Sequence, residues 1–138
     1  MLFYNGLVYG ANCSIPYVVP VPMAQYSPHP SHIDFLATER WLDGGSQHRD
    51  CIDLDDTRFI LRTLPDSSFP LRFCYIFYTT SQAITHYSVP NHLVESLSNG
   101  NIQWRGDILV VKSMPDTPDC PVNMEQTDIE LVNLLMLR

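Results

Sequence analysis

Leu71-Arg72-Phe73-Cys74-Tyr75-Ile76-Phe77-Tyr78-Thr79-Thr80 is the stretch from which the fold is read. Aromatic and β-branched residues occupy both parities of it, so neither face of a strand built from it suits water. A strand in the middle of a sheet, covered above and below, satisfies that pattern. These residues are expected to form the centre of the sheet.

Toward the C-terminus, residues 84–89 read as an edge strand beside it. Residues 90–98 read as a short helix that turns Leu93, Val94 and Leu97 inward and ends before Gly100. Residues 107–112 form another apolar strand. Residues 114–121 hold three prolines and two aspartates and are predicted as a loop. Thr127-Asp128-Ile129-Glu130 has the spacing of a capping box and opens a helix that runs to the end of the chain. Ile129, Leu131, Val132, Leu134, Leu135, Met136 and Leu137 make that helix apolar round most of its circumference. One face is core; the remainder calls for cover from the N-terminal segment, a partner, or chain beyond Arg138.

Toward the N-terminus, residues 53–64 fit a helix with acids in its first turn, Leu54, Leu61 and Leu64 on one side, and Pro65 at its end. Residues 57–64 fit a strand equally well. Ser31-His32-Ile33-Asp34 is a variant capping box, and Ile33, Ala37 and Trp41 recur at helical spacing up to the stop at Gly44-Gly45. The first 33 residues contain no Lys, Arg, Asp or Glu, and five of the eleven prolines lie between Pro16 and Pro30. Proline excludes a helix past Pro16, while Tyr17, Val18, Val19, Val21 and Tyr26 are too apolar for a solvated linker. Residues 1–30 are therefore expected as an extended, uncharged, Pro-rich arm, and residues 31–138 as a single domain. The expected class is α+β, with a small sheet of about three strands packed by three or four helices.

A chain of 138 residues that is 45% apolar and 17% charged supports one hydrophobic core. Eight basic residues face fifteen acidic ones, for a formal charge of -7, and the basic ones are scattered. Without a basic stripe, nucleic acid and anionic membrane surfaces are excluded as expected partners. No apolar run approaches the length of a membrane span. Cys13, Cys51, Cys74 and Cys120 are too sparse for a disulfide scaffold, and the first residues lack the basic flank of a signal peptide. An intracellular, cytoplasmic protein with reduced thiols is the expectation, under which the sequon at Asn12-Cys13-Ser14 stays unmodified.

Asp53-Leu54-Asp55-Asp56-Thr57 resembles the first motif of haloacid-dehalogenase-type phosphatases. The resemblance implies Asp53 as nucleophile and magnesium ligand and Asp55 as general acid and base. It also implies that the strand ending at Thr79 or Thr80 supplies the second motif, with Lys112 standing for the family's lysine. The stretch 47–52 before Asp53 is polar, unlike the buried strand of that family. A second candidate is a zinc site at His29, His32, His48 and Cys51, two spaced pairs fifteen residues apart. The plainer readings are acidic residues capping a helix, and chance spacing among five histidines and four cysteines. Arg105-Gly106-Asp107 reads as a turn feeding the next strand rather than an adhesion tripeptide. His86 and His92 read as ordinary histidines, and no nucleotide-binding glycine loop or nucleophile elbow occurs.

Trp104-Arg105-Gly106-Asp107-Ile108-Leu109-Val110-Val111-Lys112, followed by Val122-Asn123-Met124, Asp128, Leu131 and Asn133, resembles the C-terminal part of small uncharacterised proteins of mushroom-forming fungi. The resemblance implies a strand, loop and helix unit and carries no activity. The leading expectation is a non-enzymatic domain that binds another protein or itself through the N-terminal arm and the last helix. Next come a magnesium-dependent phosphatase using Asp53 and Asp55, and then a zinc-stabilised domain.

Overall fold

The structure is a computed structural model that describes residues 3–11, 13–22, 59–64, 68–78 and 90–136. Its strands are β1 (Phe3–Tyr9), β2 (Tyr17–Pro22), β3 (Phe59–Thr63), β4 (Pro70–Tyr78), β5 (Ile108–Met114) and β6 (Thr117–Val122). Two short helices accompany them, α1 (His92–Leu97) and α2 (Ile129–Met136), the second entered through a 3-10 turn at Gln126–Asp128. All pairings are antiparallel, in the order β2-β1-β5-β4-β3, with β6 also on β5. β4 lines β5 from Leu109 to Ser113, so β6 shares the opposite edge with β1. There β1 pairs with residues 108–110 and β6 with residues 112–114.

This corrects the expected architecture. The sheet has six strands rather than about three, and the described residues hold two short helices rather than three or four. The N-terminal segment is not an arm laid over the core, because residues 3–9 and 17–22 are themselves β1 and β2 of the sheet. Residues 59–63 take the strand alternative. Residues 117–122 are strand β6 rather than loop, turning back from β5 at Pro115-Asp116. The expected helix at residues 31–45, the expected strand at 84–89 and the boundary at residue 30 lie outside the described residues.

Proline concealed β2 and β6. The backbone N–H of Asn5 donates to Asn123 Oδ1 at 2.8 Å, and its carbonyl accepts from Met124 N at 2.8 Å. Both groups of Asn5 therefore point away from β2, which makes Asn5 and Pro20 a non-hydrogen-bonded pair. Phe3 and Pro22, two residues along, share that geometry. The N–H that each proline lacks would have pointed outward, so the ladder loses nothing.

Alternation along the strands divides the core into two layers. Leu7, Tyr9, Leu61, Tyr75, Phe77, Ile108 and Val110 face α1 and α2 and pack with Leu93, Val94, Met124, Val132 and Leu135. Val8, Val19, Val21, Ile76, Tyr78, Leu109 and Val111 form the second layer and are also buried. β4 and β5 are apolar on both parities because both of their faces are buried, as the opening stretch required. Gly6 belongs to the second face: a Cβ there would lie 2.8 Å from Val21 Cγ2 and 3.1 Å from Leu109 Cδ1. The two strands close over that position only because it has no side chain.

The helix ends are set by side chains. Asn91 caps α1, its Oδ1 accepting from Val94 N at 3.0 Å. The box that opens the C-terminal turn lies two residues before the expected one, with Glu125 as the cap and its N–H donating to Asp128 Oδ2 at 2.8 Å. The expected helix is apolar round most of its circumference, and α2 buries Val132 and Leu135 while Leu134 stays 53% exposed.

Candidate functional site

Lys112 is the chain's single lysine and lies on the helix-facing parity of β5, only 6% exposed. A charge at that depth requires a partner. Its Nζ lies 3.0 Å from Asp128 Oδ2 and 4.3 Å from the centroid of the Phe73 ring. Asp128 Oδ1 accepts from the Tyr75 hydroxyl at 3.0 Å. A second tyrosine on the same face, Tyr9, donates its hydroxyl to Asn133 Oδ1 in α2. Three sheet side chains thus reach up to hold the C-terminal turn and helix.

Burial pushes the phenols of Tyr9 and Tyr75 well above the usual tyrosine range, and for Tyr75 the adjacent Asp128 carboxylate adds to the shift. Both hydroxyls therefore stay protonated donors at neutral pH. Each group of the cluster is engaged by another: the ammonium by a carboxylate and a ring, the carboxylate by an ammonium, a phenol and a backbone N–H. The arrangement acts as a latch between sheet and helix.

Asn91 organises a second buried cluster and is 1% exposed. Besides capping α1, its Nδ2 donates to the carbonyls of Tyr9 at 3.0 Å and Gly106 at 2.9 Å. Asp107, also buried, accepts from Ala11 N at 2.7 Å. Gly106 turns there with φ of 84°, a conformation that favours glycine. Arg105-Gly106-Asp107 is accordingly a structural turn with its aspartate facing inward.

On the opposite parity, the Cys74 thiol donates to the Met114 carbonyl at 3.3 Å, and burial raises its pKa. A thiol in that state is a poor nucleophile. Its neighbour across the ladder is Ser113, whose buried Oγ has no hydrogen-bond partner among the described residues.

Most of the site residues singled out from the sequence fall outside the described residues. Asp53, Asp55, Thr79 and Thr80 lie outside the described residues, as do His29, His32, His48 and Cys51. Of the phosphatase set, only Lys112 is described, and it pairs with Asp128. Among the described residues no group of three or more His, Cys, Asp or Glu side chains is placed to hold a metal ion. No described helix is long and apolar enough to cross a membrane. No family model, curated protein or solved structure matches the chain.

The outer end of β4 and β5 carries several apolar side chains among exposed polar ones such as Arg72, Asp116 and Thr117. The register that pairs Cys74 with Ser113 sets Phe73 opposite Met114. Met114 is 44% exposed, Phe69 just before β4 is 66% exposed, and Leu71 and Phe73 between them are half-buried. Arg72 borders this strip, with its guanidinium 5.5 Å from the centroid of the Phe73 ring. Sequence reasoning overlooked both the strip and the latch. The latch had a readable signal in Lys112, a lone lysine of inward parity in an apolar strand, which demands a carboxylate.

Proposed function

We propose that this chain is a non-enzymatic binding domain whose ligand is another polypeptide, a second copy of itself included. The observation that carries the reading is the strip formed by Phe69, Leu71, Phe73 and Met114 at one end of the sheet. Isolated exposed apolar side chains are ordinary on a protein surface, whereas several gathered at one end of a sheet beside a cation such as Arg72 suit a contact surface. The expected N-terminal surface is replaced by this strip, because Leu7, Val8, Tyr9, Val19 and Val21 are spent inside the sheet. The closed chemistry of the Lys112 cluster supports a binding role over a catalytic one. So does the pairing of β4, which has antiparallel neighbours on both edges and no parallel strand beside it.

The test uses the full chain and two single substitutions, Met114→Glu in the strip and Ile15→Glu at an exposed site elsewhere. Sedimentation across a concentration series reads self-association, and cross-linking in cells followed by mass spectrometry reads other partners. Met114→Glu is expected to reduce the association or the cross-linked set several-fold, with Ile15→Glu unchanged. Equal behaviour of the two variants, or a monomer with no cross-linked partner, overturns the reading.

A further inference from the structure

No further inference is drawn: the strongest candidate, the apolar strip around Phe73 and Met114 at the outer end of β4 and β5, belongs to the surface already described, and nothing in the structure shows what covers it.

Discussion

Replacing Asp128 with alanine removes the carboxylate that joins Lys112, Tyr75 and the Glu125 N–H, and leaves an ammonium on a side chain only 8% exposed with no counter-charge among the described residues. Breaking a buried pair from one side costs about 3–5 kcal/mol, because the remaining charge stays desolvated. Loss of the bond to Glu125 N adds about 1 kcal/mol. With partial relaxation the expected total is about 4 kcal/mol, a large share of the roughly 5–15 kcal/mol that holds a domain folded. For a slope of about 2 kcal/mol per molar urea, the unfolding midpoint falls by about 2 M at unchanged slope. The assay is equilibrium urea unfolding followed by tryptophan fluorescence. Asp128→Asn keeps an acceptor for Tyr75 and is expected to lose about half as much. Lys112→Met combined with Asp128→Asn removes both charges and is expected to recover to within about 1 kcal/mol of the parent, since an apolar replacement of a buried pair is often neutral. A loss below about 1 kcal/mol for Asp128→Ala would refute the argument, for that is the behaviour of a solvated surface pair.

Four further outcomes, at three positions, follow from the same structure. Asn91→Ala strips the cap from α1 and orphans the carbonyls of Tyr9 and Gly106, at an expected cost of about 3 kcal/mol in urea unfolding. Asn91→Asp keeps the cap but turns an anion onto those two carbonyls, so its stability should rise on acidification; a pH-independent variant would contradict that geometry. Gly6→Ala forces a methyl against Val21 and Leu109 and is expected to destabilise by about 1–3 kcal/mol, whereas an unchanged thermal midpoint would show that the strands yield. The Tyr75 phenol titrates higher when folded than when unfolded, so its contribution is complete below its unfolded pKa of about 10 and is lost as pH rises beyond it. Tyr75→Phe should therefore flatten the fall of stability above about pH 10; an identical alkaline profile would remove Tyr75 from the latch.

The centre of the fold was legible in the sequence for one physical reason. β4 and β5 are apolar on both parities, and only burial on both faces explains that. α1 was legible as well, through Leu93, Val94 and the residues that bound it. β1 and β2 were obscured because they lack the alternation of apolar and charged residues that marks a half-solvated strand, and because Pro20 and Pro22 argue against pairing unless the register is known. That register is a tertiary fact, fixed by the bonds from Asn5 to Asn123 and Met124, which lie more than a hundred residues away. β6 was hidden by Pro118 and Pro121 in the same way. Thr127 and Glu130 matched the capping-box spacing, but Asp128 was already committed to Lys112 and Tyr75, and that attachment sets the turn two residues earlier. In the candidate site, Lys112 was noticed as the resembled family's lysine, and its pairing with Asp128 was not foreseen. Phe73 and Tyr75 were read as core without regard to what their ring face and hydroxyl meet.

The proline register of β2 also governs how copies of this molecule can add to one another. Of the groups along its outer edge, Pro20 and Pro22 contribute carbonyls but no N–H, so a strand approaching from outside finds acceptors without the matching donors. A fibre grows by edge addition only if every unit is extendable at both ends, since each must receive one neighbour and template the next. A unit whose β2 edge lacks two of its donors is a poor template for such additions. Among the described residues, backbone addition at the β2 edge is thus disfavoured by two of the prolines that at first reading excluded a helix.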